Sequence, residues 1–194
     1  MIKDVAHRKL FPTEIMRVVT ELDHKAIEQH TINFMKGMPK YTTYHDAEAN
    51  AEYIKHPEIQ KLLVDISDAS DQYLVATSRR PFKEEPWVFL WGNVYTEGTE
   101  HGSHNHPRSI ISGTYYANQH ETYSSIQFDS PLVNMKMHDT QHFGSNQHAV
   151  KPAAGDMLLW PSWLHHRVPA QKKGYDTPRV SLSFNLDYNY LRKL

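Results

Sequence analysis

The chain has 194 residues, of which 39% are hydrophobic and 22% charged, with a formal net charge of −1. This balance excludes disorder, collagen and long coiled coils, and it provides no general field for drawing in nucleic acid. Cysteine is absent, which excludes disulfides, iron–sulfur clusters and thiolate-bound zinc and fits a reducing, cytoplasmic setting.

The length suits a single domain over 1–194. The N-terminus has no apolar stretch like that of a signal peptide. The densest apolar runs, Val88-Phe89-Leu90-Trp91 and Met157-Leu158-Leu159-Trp160, are strand-sized. They fall far short of the roughly 20 apolar residues of a membrane helix.

In chain order, Leu10 to Val19 reads as an edge strand. Asp23 is placed to cap a helix running to about Lys36, with Ile27 and Phe34 on one side and Gly37 as its stop. Pro57 opens a stronger helix. There Ile59, Leu62, Leu63, Ile66, Ala69, Tyr73 and Leu74 keep the 3.6-residue period of a packed face. Arg79, Arg80 and Lys83 form a basic cluster that reads as a solvated loop.

From Trp87 the pattern changes to short segments rich in Val, Ile, Tyr, Phe and Trp. They predict strands near 87–95, 109–117, 124–129, 132–138, 147–151, 156–160, 166–169 and 179–186. Turns at Glu97-Gly98, Ala154-Gly155-Asp156 and Lys173-Gly174 punctuate them. The expectation is a mainly β fold with N-terminal helices, a sandwich or closed jelly roll. Residues 1–86 form a helical buttress and 87–194 a β core. Along the last strand Arg179, Ser181, Ser183 and Asn185 share one face and Val180, Leu182 and Phe184 the other. The polar face suits either solvent or a polar cavity.

Histidine is unusually common, with 14 in the chain, nine of them between His101 and His166. In an extended segment His104 and His106 point the same way and can reach one ion. Pro161-Ser162-Trp163-Leu164-His165-His166 supplies a distant third ring. His166 is the simpler ligand because the strand starts there, which leaves His165 exposed or behind the ligands. Imidazoles suit zinc, copper, iron and nickel, and a site without thiolate and with an open position is catalytic in type.

Together Trp91-Gly92-Asn93, His104-Asn105-His106-Pro107, Ser112-Gly113-Thr114-Tyr115-Tyr116, Gly155-Asp156, the segment 161–166 and Arg179-Val180-Ser181-Leu182-Ser183-Phe184-Asn185 resemble one lineage. It is the family of Fe(II)/2-oxoglutarate-dependent oxygenases, distant relatives of prolyl hydroxylases. The match is specific over 87–186. The resemblance implies a cupin-like double-stranded β-helix with iron at one mouth. It further implies a dioxygenase that hydroxylates a small molecule or peptide and releases succinate and CO2. It assigns His104 and His166 to Fe(II), and Arg179, Ser181 and Tyr116 to the far carboxylate of 2-oxoglutarate. A guanidinium suits that role because it stays charged and presents a planar fork. No catalytic residue is assigned beyond the metal site. His101, Asn93, Tyr95 and His165 are candidates for a supporting layer.

The chain departs from the family pattern at His106, which stands where the superfamily has Asp or Glu. Three arrangements follow: a three-histidine site, a carboxylate from Glu97, Glu100 or Asp129 reaching in, or His106 as a bystander. A three-histidine dioxygenase or isomerase without 2-oxoglutarate is the competing enzyme reading, and a metal- or ligand-binding module without turnover is the third. His120, His138, His142 and His148 read as surface or turn residues, and Trp91, Trp160 and Trp163 as core or pocket wall. Neither nucleic acid nor membrane is an expected partner, and the helical half leaves a homodimer open.

Overall fold

The structure is a computed structural model that describes residues 12–38, 41–81, 86–132, 146–172 and 177–187. The strand predicted at 132–138, Lys83, His138, His142 and the Lys173-Gly174 turn lie outside the described residues, apart from Leu132. In chain order the elements are β1 (Met16–Val19), α1 (His24–Met35), α2 (Ala47–Tyr53), α3 (Pro57–Ala76), β2 (Trp87–Tyr95), β3 (His101–His104), β4 (Ile111–Tyr116), β5 (Ile126–Asp129), β6 (Gln147–Val150), β7 (Asp156–Pro161), β8 (His166–Val168) and β9 (Arg179–Asp187).

The helices begin where local chemistry directs. Asp23 accepts a hydrogen bond from the Ala26 amide, and Gly37, at φ 85°, follows the end of α1. Pro57 occupies the first turn of α3, where its missing N–H costs nothing. The α3 stripe Ile59, Leu62, Ile66, Ala69, Tyr73 and Leu74 is buried. The sequence did not point to α2, a seven-residue helix whose N-terminus is held by Asp46.

The strands form two antiparallel sheets, one in the order β1-β7-β4-β9-β2 and the other β3-β8-β5-β6. This corrects the expected closed double-stranded β-helix or jelly roll. Among the described residues no ladder joins the sheets, and β1, β3 and β6 are open edges, while 41–43 bridge to β2 at Thr42–Asn93. The chain is better described as a mixed α/β fold with two open sheets than as a closed, mainly β barrel. The sequence pattern misled because alternation reports only that one face of a strand is covered. Facing open sheets and a closed barrel satisfy it equally.

Two apolar clusters fix the layers. Ile27, Leu62 and Ile66 from the helices pack with Val180, Leu182 and Phe184 on one side of the larger sheet. Leu158, Trp160 and Tyr116 on its other side pack with Ile126, Phe128 and Val168 of the smaller sheet. Each fully buried side chain of this size contributes about 1.5–3 kcal/mol. Close packing also explains Gly113 on β4. A Cβ there would collide with the Phe184 ring and lie 2.6 Å from the Leu158 carbonyl oxygen. The larger sheet is therefore sealed against the helices on one face. Its other face closes on the smaller sheet except at one end, where the conspicuous histidines gather.

Candidate functional site

Three elements deliver the histidines. His104 ends β3, an edge strand whose register against β8 shifts between His101 and His104. His166 opens β8 and is the cross-strand partner of His104. His106 lies beyond β3 and is held by a 2.9 Å hydrogen bond from its amide to the Ser162 carbonyl. One ring nitrogen from each of the three lies within 4.8 Å of the other two, a spacing that can hold a metal ion. Ring centroids are 4.3 Å apart for His104–His166, 4.9 Å for His104–His106 and 5.1 Å for His106–His166.

The backbone orients two of these rings. His104 Nδ1 lies 2.8 Å from the Gly102 carbonyl oxygen and His166 Nδ1 lies 2.9 Å from that of Leu164. A carbonyl can only accept, so each Nδ1 carries the proton and each Nε2 keeps a free lone pair for a metal ion. His106 Nδ1 sits 3.3 Å from the Asn185 side-chain amide, which also bonds Ser112, itself 2.8 Å from Ser162. Burial, followed by repulsion from neighbouring imidazoles, lowers the pKa of His166 to about 3 and of His106 to about 4. Burial lowers that of His104 as well. All three are neutral at physiological pH, the state that ligates metal.

No carboxylate joins this cluster among the described residues. Asp129 is engaged by Ser103 and Gln147, each at 2.9 Å, and Glu97 and Glu100 are exposed. His165 is exposed, with its Nε2 3.3 Å from the Asn105 amide. The ring of His101 stacks on His104 at 4.2 Å, and burial lowers its pKa to about 4.

A narrow cleft of about 30 Å³ runs inward from the histidines between the sheets. At its inner wall Arg179, only 2% exposed, shares no ion pair with a described carboxylate, and its Nε and Nη1 lack hydrogen-bond partners. The guanidinium carbon lies 4.9 Å from the Tyr95 ring centroid and 5.3 Å from that of Tyr116. Burial pushes the Tyr95 hydroxyl up to about 12 and raises that of Tyr116 too, while Arg179 pulls both back. The Tyr116 hydroxyl and the Trp160 indole N–H also lack partners. An unpaired buried cation is costly, and a cleft lined by one and by unused donors could offset that cost by taking an anion. Ser181 lines the same cleft. Asn93 holds β9 in place through the Ser181 carbonyl and Ser183 Oγ.

Residues 89–185 match the family described as "Putative 2OG-Fe(II) oxygenase". The chain belongs to that family. No curated protein sequence matches it at a significant level. Among solved structures, HygX from Streptomyces hygroscopicus, crystallised with nickel and 2-oxoglutarate, is 13% identical with a TM-score of 0.57, over 92% of this chain and 83% of HygX. A prolyl-4-hydroxylase from Pseudomonas putida is 17% identical over 91% and 89%, at 0.56. SnoK, a non-heme α-ketoglutarate-dependent carbocyclase from nogalamycin biosynthesis, is 14% identical over 94% and 87%, at 0.62. At these identities the likeness is one of fold.

The structure thus brings His104, His106, His166, Arg179, Ser181, Tyr116, Tyr95 and His101 to one cleft, and leaves His165 outside it. Trp91 and Trp160 line the cleft, whereas Trp163, 49% exposed, is neither core nor wall. Sequence reasoning missed Tyr41, Tyr44 and His45, which wall an outer cavity of about 300 Å³ opening onto the histidines. Nothing in that segment signals a site. It also missed the link from Asn185 to His106, although strand parity had placed Asn185 on the polar face.

Proposed function

We propose that the protein is an oxygenase that holds Fe(II) through His104, His106 and His166 and 2-oxoglutarate through Arg179, Ser181 and Tyr116. The observation that carries this reading is the buried, unpaired Arg179 in the same cleft as three neutral imidazoles with convergent nitrogens. The donors suit the ion, since two of the rings present a free Nε2 and thiolate is absent. When bound, iron with its co-substrate supplies the activation of dioxygen that drives hydroxylation and releases succinate and CO2.

The protein's own share is positioning and charge. The Gly102 and Leu164 carbonyls fix two imidazoles, and Asn185 contacts the third. The guanidinium of Arg179 offers a planar fork to a terminal carboxylate, and the Tyr116 hydroxyl donates alongside it. Trp160 and Phe128 pack beside His166 and keep bulk water from the inner face.

The donor set supports a second reading better than this one. Three neutral ligands leave the centre more positive by one charge than two histidines and a carboxylate. Such a set fits a metal-dependent dioxygenase or isomerase that needs no 2-oxoglutarate, or a metal-binding protein without turnover.

Anaerobic addition of Fe(II) and 2-oxoglutarate separates these readings. The proposed function requires a visible charge-transfer band, abolished in His166→Ala. Tight Fe(II) binding with no band at saturating 2-oxoglutarate would overturn it in favour of the second reading.

A further inference from the structure

The outer cavity has a composition that selects among substrates. At about 300 Å³ it sits at the small end of ligand pockets and suits a small molecule. It shares Trp91, His101, His104 and His106 with the inner cleft, so an occupant would lie directly against the metal centre. Its lining contains no Asp, Glu, Lys or Arg among the described residues. A phosphate, carboxylate or ammonium group would therefore enter without a counter-charge and lose its hydration.

Three polar side chains in the wall are already engaged. Asn185 bonds Ser112 and His106, the Thr42 hydroxyl accepts from the Tyr44 amide, and Asn105 reaches His165. Rings dominate what remains. Tyr44 meets Trp91 edge-to-face at 5.0 Å and 71°, and meets Phe89 at 5.4 Å with the same tilt. Tyr41 stands against Tyr95 at 5.4 Å and His101 at 6.5 Å. Tyr44 and Tyr41 are 44% and 36% exposed, among the most exposed large hydrophobic residues described. Tyr44 and Trp91, set at 71°, form a corner of the cavity in which Tyr44 is the exposed ring and Trp91 the buried one.

We propose that this cavity is the primary-substrate subsite and that it takes an uncharged, planar ring compound, stacked in the Tyr44–Trp91 corner with one edge toward His104 and His106. The inference deepens the proposed function, since it treats the histidine cluster as the place of reaction.

Saturation-transfer-difference NMR on the full chain without added metal tests it, with indole, glucose, phenyl phosphate and benzylamine as probes. Indole should receive saturation, and the other three should receive less than about a tenth as much. Tyr44→Ala and Tyr41→Ala alter partly exposed side chains, and each should weaken indole binding about fivefold, the worth of one aromatic contact. Absence of saturation in indole, undiminished indole binding in both variants, or preferential binding of glucose or a charged probe would overturn the proposal. The readout needs neither iron nor 2-oxoglutarate. A missing charge-transfer band with intact indole binding would therefore indict only the proposed function, and the converse only this subsite.

Discussion

The two faces of β9 carry opposite assignments. Val180, Leu182, Phe184 and Leu186 are fully buried against the helices in an apolar cluster. Arg179, Ser181 and Ser183 line the cleft, and Asn185 lines the cavity outside it. Arg179 is as buried as the leucines, yet two of its nitrogens lack partners. One strand thus separates holding the fold together from holding a ligand by residue parity alone. Burial does not distinguish the two roles, whereas a buried charge without an ion-pair partner does.

The sharpest break of this contrast is Phe184→Ala. It should destabilise the protein by about 3–5 kcal/mol, read as a lower midpoint in urea, because Gly113 leaves a space shaped for that ring. Arg179→Met should do the reverse. Stability should hold or rise by about 1–4 kcal/mol, since an unpaired buried charge is replaced by an apolar chain. The affinity for 2-oxoglutarate should fall by about a hundredfold in calorimetry. A destabilised variant with unchanged affinity would make Arg179 a structural residue.

A smaller effect is expected at the outer end of the strand. Asn185→Leu removes the contact that orients His106 and should weaken Zn(II) or Fe(II) binding by about 10–100-fold with little change in urea midpoint. Retention of full metal affinity would mark His106 as a bystander.

A test that leaves the sequence unchanged is pH. In the folded, metal-free protein His166 titrates near 3, and His106 and His101 near 4, against about 6.5 when unfolded. Below 6.5 the unfolded chain takes up protons that the folded chain refuses. The stability these neutral rings allow is therefore complete above 6.5 and lost as pH falls toward 3–4. The slope reaches up to about 1.4 kcal/mol per pH unit for His166. Thermal midpoints at pH 7.5, 5.5 and 4.5 should decline, and a flat profile would contradict the burial of these rings.

Much of this arrangement was legible because it rests on periodicity. The α3 stripe, the strands at β2, β4, β7 and β9 and the parity of Arg179 with Asn185 all come from side-chain spacing. That His166 rather than His165 lies in the histidine cluster followed from where its strand begins. What escaped notice lacks such a signal. His101-Gly102-Ser103-His104 contains no β-branched or large apolar residue, so β3 is a strand only because β8 pairs with it. The alanines of α2 have no pattern beyond the Asp46 cap. Closure of the sheets depends on which edges meet, information that alternation does not contain. The aromatic corner joins Tyr44 to Trp91 across 47 positions, a contact set by tertiary packing alone.

The edge position of β3 has a consequence for motion. That short ribbon is hydrogen-bonded on one side only, and its register slips between its two histidines. An ion shared by residues 104, 106 and 166 would staple this loose border to the strand behind it, joining stretches sixty positions apart. Metal uptake should therefore slow amide deuterium exchange most at 101–106 and leave the helix over 57–76 almost untouched, so that loading the centre also stiffens its own rim.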